Sequence, residues 1–214
     1  MNLFVVGDIH GCYKTFKNLL KNWDRENELL LQVGDIMDRG NHTPETVKLC
    51  RELQEKHGAV FIKGNHEQLA LQYFLHKKHE KWYKKYGIKV LWQYTLAELD
   101  FDKDMEWIST FPLTWENDHI FISHAGISHS SFAMDEKHPD GLVWNRGEVK
   151  NIGKLQIYGH TPLKSGKPQF YPESNSWNID TGVYLKRGIC ALRLKPTGEL
   201  IEIVSEPTAG TDVD

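Results

Sequence analysis

No window of this sequence approaches the ~18–20 consecutive apolar residues of a membrane span. Met1-Asn2 runs straight into Leu3-Phe4-Val5-Val6, with neither a basic n-region nor a long apolar h-region. A soluble, unexported, cytoplasmic protein without a membrane partner is therefore expected. Cysteine is scarce, and Cys12, Cys50 and Cys190 are odd in number and far apart. Neither a disulfide framework nor a thiolate zinc site is indicated, and a reducing compartment fits. An excess of positive charge is missing too. A formal net charge of -3 leaves too few cations for broad, sequence-independent binding, so no stable nucleic-acid partner is expected. Internal repeats and low-complexity tracts are absent.

What remains is an ordinary globular composition, 40% hydrophobic and 26% charged over 214 residues, a length suited to one domain with a sizeable core. Short apolar runs alternate with amphipathic segments in the first third: 3–6 then 13–23, 29–33 then 43–56, 59–62 then 66–77. This order predicts strand-helix units around a largely parallel sheet, an α/β fold with functional loops at the carboxyl ends of the strands. Thr43-Pro44-Glu45-Thr46 reads as a helix start with a threonine cap. The aromatic, charged stretch 78–118 reads mostly as helix. The runs 120–123, 155–158, 176–179, 189–194 and 200–204 read as strands of a second sheet, and 208–214 as a loose tail after a single domain over 1–207.

Each of five strands ends in a polar cluster. Gly7-Asp8-Ile9-His10-Gly11 follows the first, Gly34-Asp35-Ile36-Met37-Asp38-Arg39-Gly40 the second and Gly64-Asn65-His66-Glu67 the third; His124-Ala125-Gly126 and Gly159-His160-Thr161-Pro162 follow two later ones. Their glycines permit tight turns and close backbone approach. The side chains gathered are oxygen and imidazole donors without thiolate, a mixture suited to Mn, Fe or Zn. One such residue alone would be a cap or a satisfied polar group; five clusters at strand ends point to a metal centre.

In order and spacing these motifs resemble the metallophosphoesterase superfamily, in its phosphoprotein phosphatase branch, over roughly residues 1–185. Trp144-Asn145-Arg146 and Asn178-Ile179-Asp180-Thr181-Gly182 are similar to its compact bacterial and phage-type members. The resemblance implies two packed mixed β-sheets flanked by helices and two divalent metal ions, with Mn first and Fe or Zn as alternatives. Asp8, His10 and Asp35 would hold one ion; Asp35, Asn65, His124 and His160 the other. A metal-bridging hydroxide would attack phosphorus in line. Arg39 and Arg146, with Asn65 and His66, would grip the phosphate; His66, oriented by Asp38, would protonate the leaving alkoxide.

The activity so implied is that of a serine/threonine protein phosphatase, with phosphotyrosine possible, acting on a phosphorylated protein, a peptide or a small phosphoester. The alternative enzyme is a dinucleoside polyphosphate hydrolase, and a non-catalytic scaffold is a remote third, since every expected position is filled. A dinucleotide-binding fold is disfavoured because Gly7–Gly11 lacks the G-x-G-x-x-G spacing. Glu67 is expected only to favour the helix dipole, Asp180 to be a turn or a site residue, and the other seven histidines to be solvated or locally bonded. In 76–94, six lysines stand against one acid. The segment reads either as a solvated helix whose Trp82, Tyr86 and Trp92 reach the core, or as a lip that receives an acidic substrate.

Overall fold

The computed structural model describes residues 1–76 and 80–214, so Lys77, Lys78 and His79 of the basic segment lie outside the described residues. β1 (Asn2–Val6) leads to α1 (Tyr13–Leu19), β2 (Glu28–Gln32) to α2 (Thr43–His57), and β3 (Val60–Phe61) to α3 (Asn65–His76). The three strands pair in parallel, Leu3 opposite Leu29 and Gln32 opposite Phe61. The two-residue period of a strand sets the layers. Phe4 and Val6 pack with Phe16, Val47 and Ala70 under the helices, while Leu3 and Val5 pack with Ile120, Ile122 and Ile157 of the second sheet.

That second sheet has the order β4-β5-β6-β8-β7, from β4 (Thr114–Glu116), β5 (Ile120–Ser123), β6 (Leu155–Tyr158), β7 (Gln169–Tyr171) and β8 (Ser176–Asn178). β5, β6 and β8 are parallel and the two edges antiparallel. The expectation that all late strands join it needs correction. β9 (Ile189–Leu194) and β10 (Leu200–Glu206) return to the first sheet, giving β10-β9-β1-β2-β3, with β9 antiparallel to β1. The open side of the central strand β1 would otherwise be an unpaired edge, and β9 fills it with Ala191, Leu192 and Leu194 buried.

Three local expectations also change. His42, not Thr43, occupies the cap position of α2, and the Thr43 hydroxyl is buried without a partner. Between α3 and the second sheet come α4 (Glu80–Trp82), a π-helical turn (Tyr83–Gly87), α5 (Ile88–Ala97) and α6 (Phe101–Ile108). Of the aromatics expected in the core, Trp82 is buried and Tyr86 half-buried, but Trp92 is 64% exposed. Nor does 208–214 hang loose. The buried Asp212 accepts hydrogen bonds from the N–H of Lys14 (3.1 Å) and Thr15 (2.7 Å) and from Thr15 Oγ1 (2.6 Å), and Val213 joins the core. The unsatisfied N–H groups of the first turn of α1 are the reason it docks. Among the described residues no helix is long and apolar enough to cross a membrane.

Candidate active site

The loops that follow β1, β2, β3, β5 and β6 bring Asp8, His10, Asp35, Asp38, Asn65, His66, His124 and His160 together, each at most 5% exposed. Their backbone is strained in one place. His10, Asp35, Asp38, Arg39 and His160 all hold φ between 48° and 70°, the left-handed region that L-residues avoid at a cost of about 1–2 kcal/mol each. Two glycines let the loops close on each other. A Cβ at Gly64 would collide with the Asp35 carboxylate and backbone, and one at Gly159 with the Asp8 carboxylate.

Glu67 does more than favour a helix dipole. Its carboxylate accepts the N–H groups of Asp35 (2.8 Å), Ile36 (2.9 Å) and Gly64 (2.9 Å), tying the β2 loop to the start of α3. The Asp35 Oδ1 in turn accepts the His66 N–H at 3.0 Å.

Carbonyl oxygens only accept, so the contacts of His10 Nδ1 with Met37 O (3.0 Å) and of His124 Nδ1 with Val33 O (2.9 Å) place a proton on each Nδ1. Each Nε2 then faces inward. His10 Nε2 lies 3.6 Å from Asp35 Oδ2 and 4.0 Å from Asp8 Oδ2. His124 Nε2 lies 3.4 Å from Asp35 Oδ1, and Asn65 Oδ1 stands 3.0 Å from His124 Nε2 and 2.8 Å from His160 Nδ1. Among the described residues, donor atoms within 4.8 Å of one another fall into two groups, His10–Asp35–His66 and Asp35–His124–His160, with Asp35 in both. Asp8 stands at the edge of the first and also accepts the His160 N–H at 3.2 Å.

These residues fit a pair of divalent cations. Asp8, Asp35, Glu67 and Asp180 are all buried, and Asp180 Oδ2 and His160 Nε2 find no protein partner. Burial, then the charges of Asp180 and Asp35, push the Asp8 carboxyl well up; burial, then Asp35, lifts Glu67 to about 7, and burial raises Asp180 to about 6. Crowded carboxylates of this kind need nearby positive charge, and oxygen with imidazole suits borderline-hard ions.

Within the first group, His66 Nδ1 meets Asp38 Oδ2 at 2.6 Å, and the same oxygen accepts the Trp82 indole N–H at 2.8 Å. Burial alone would lower His66, but Asp35 and the Asp38 bond reverse it and leave the imidazole raised. Arg39 Nη2 is 3.3 Å from His66 Nε2; its guanidinium lies 4.0 Å from the Tyr184 ring and 5.4 Å from the Tyr86 ring. Tyr86 also sits 4.9 Å from His66. Lys89 Nζ and Gln93 Nε2 hold the carbonyls of Arg39 (3.1 Å) and Gly40 (2.9 Å). The segment after α3 thus reaches the site through Trp82, Tyr86, Lys89 and Gln93, while Lys84 pairs with Glu80 in solvent. Arg146 is on the other side, donating to Thr161 Oγ1 at 3.4 Å next to His160.

All the residues singled out from the strand-end motifs converge. The sequence leaves Trp82 between a core and a substrate-receiving reading and does not single out Tyr184; both lie outside those motifs, in stretches where an aromatic reads equally well as core. Glu67 stood within its motif, but the sequence does not show that its partners come from another loop.

Such a pair of ligand groups sharing one carboxylate at the rim of a two-sheet sandwich defines a metallophosphoesterase. The calcineurin-like phosphoesterase family model matches residues 1–186, and the chain belongs to that family. The asymmetrical bis(5′-nucleosyl)-tetraphosphatase PrpE of Halalkalibacterium halodurans is 28% identical, with 97% of this chain and 94% of that protein covered. The serine/threonine-protein phosphatase 2 of Salmonella typhimurium is 26% identical over 91% of this chain and 93% of its own length. The crystal structure of a provisionally assigned diadenosine tetraphosphatase superposes with a TM-score of 0.70 at 19% identity, covering 98% and 94% of the two chains, a likeness of fold.

Proposed function

We propose that this chain is a two-metal phosphoester hydrolase that cleaves dinucleoside polyphosphates asymmetrically. The single observation that supports the chemistry is Asp35 in both ligand groups, 3.9 Å from the Nε2 of a histidine that Asp38 orients. The substrate class is supported by the full-length likeness to a bis(5′-nucleosyl)-tetraphosphatase. Asp8, His10 and Asp35 would hold one ion, and Asp35, Asn65, His124 and His160 the other. Two bound divalent ions, Mn first for this donor set, supply Lewis acidity that neutralises phosphate charge and acidifies water.

The side chains do the rest. Arg39 and Arg146 clamp phosphate oxygens from two sides, the planar fork of each guanidinium matching two oxygens at once. Tyr86 and Tyr184 fix the Arg39 head in place by cation–π contact. As a water oxygen bonds to phosphorus, the bond from phosphorus to the leaving oxygen breaks. One water proton passes to solvent, and His66 gives its own to the leaving oxygen, after which Asp38 holds the neutral ring in the same orientation.

The second reading, a phosphatase for phosphoserine and phosphothreonine proteins or peptides, is supported by the likeness to the Salmonella enzyme. One side-by-side assay with Mn separates them. A kcat/KM for diadenosine tetraphosphate at least tenfold above that for phosphoserine and phosphothreonine peptides is the expected result; the reverse order favours the protein phosphatase.

A further inference from the structure

We infer that the groove beside Arg146 is a second substrate chamber, which holds the nucleoside carried by the phosphoryl group retained on the reacting phosphorus. The inference rests on the polyphosphate reading above. In an in-line displacement the leaving oxygen departs opposite the incoming water, and His66, the proton donor, marks the leaving side. His66 stands with His10 in the first ligand group, under Tyr86. The substituents that stay on phosphorus lie across that axis, and Arg146, which would clamp one of them, stands beside His160 of the second group.

On that side a groove of about 1010 Å³ opens, bounded by Arg146, Thr161, Tyr158, Tyr171 and Lys150. Its size is at the upper end of the roughly 300–1,000 Å³ typical of ligand pockets. The groove and the metal centre share a wall, because the Arg146 guanidinium that lines the groove bonds Thr161, the residue after His160. A phosphomonoester has nothing to put there: its retained phosphoryl carries only bare oxygens. A polyphosphate bearing a nucleoside at each end has a substituent on both sides of the scissile bond, and the groove gives room to the retained one.

The lining also limits how the base is read. The buried amide of Asn178 donates to Thr161 O at 3.0 Å and accepts the Asp180 N–H at 2.9 Å. Asn145 is likewise engaged, accepting the Gly147 N–H at 2.9 Å. The rings of Tyr158 and Tyr171 offer a base a face to stack on, and stacking is indifferent to its edge. Stacking holds adenine and guanine alike, while Arg146 and Lys150 meet the phosphates on a lining that also carries Glu148 and Glu173.

The test compares diadenosine tetraphosphate, diguanosine tetraphosphate and p-nitrophenyl phosphate on the Mn-loaded protein and on two groove variants. Tyr171→Ala removes a wall. Gly147→Phe fills the groove from a position where an added Cβ meets only the Asn145 amide oxygen at 3.4 Å; it carries the test alone should Tyr171→Ala lower the melting temperature. Each variant should raise KM for both tetraphosphates roughly tenfold, within the range that loss of one base-stacking contact costs, with kcat/KM for p-nitrophenyl phosphate changed less than twofold. Wild-type protein that hydrolyses p-nitrophenyl phosphate but no tetraphosphate overturns the polyphosphate reading and the chamber with it. Wild-type protein that hydrolyses tetraphosphate, with variants that lose nothing or lose all three substrates equally, overturns the chamber alone.

Discussion

Asp38 accepts two ring N–H groups on one oxygen, from His66 and from Trp82, and is completely buried. A carboxylate held twice cannot swing, so the His66 ring presents Nε2 to the site in one orientation. His66→Asn should cut kcat by roughly 10²–10⁴ on phosphoserine peptides, the usual span of general acid catalysis. The loss should shrink for p-nitrophenyl phosphate and for tetraphosphates, whose leaving groups are weak bases that need little help. Equal losses across leaving groups of different acidity would show that His66 donates no proton. Trp82→Phe keeps the ring packing and deletes one hydrogen bond, whose net worth of about 0.5–1.5 kcal/mol corresponds to roughly 2–10-fold in kcat. KM should stay put and the defect should follow leaving-group acidity as for His66; a KM effect with unchanged kcat would make Trp82 a packing residue only.

At the scale of the element, the site is made by strand ends. After β1, β2, β5 and β6 the backbone turns left-handed within a few residues, and glycine lets two turns touch. Gly64→Ala and Gly159→Ala insert a methyl group into the Asp35 and Asp8 carboxylates respectively. Both should lose more than 90% of phosphatase activity, read with p-nitrophenyl phosphate, while keeping the wild-type circular dichroism spectrum; an active Gly159→Ala would mean that Asp8 tolerates displacement. This level was also the most legible one. The runs at 120–123 and 155–158 coincide with β5 and β6, and the first three strand-helix units follow their apolar periodicity. Ligands could be picked from sequence because each sits one to four residues past a strand end, where local pattern suffices. The partner sheet of β9 was not legible: hydropathy says that Ala191 and Leu192 are buried, not which open edge they cover. The same limit hid the role of Trp82, since its hydrogen bond to Asp38 spans 44 positions.

For the whole molecule, residues 208–214 close the structure rather than trail from it. Asp212 satisfies the first turn of α1, and Asp214 and Arg39 O share the Lys89 ammonium. Asp212→Ala would strand buried donors at a cost of about 1–3 kcal/mol. At about 2–4 °C per kcal/mol for a chain of this size, the melting temperature should fall by roughly 2–12 °C; no change in a thermal scan would return the segment to a passive tail. The account as a whole rests on Asp35 serving two ions at once. Metal-stripped protein titrated with Mn, and followed by bound metal and by hydrolysis of p-nitrophenyl phosphate in the same samples, tests this most directly. Activity should rise to a plateau at two ions per chain and be absent from Asp35→Asn at every Mn concentration; full activity in metal-free protein, or at a single bound ion, would contradict it.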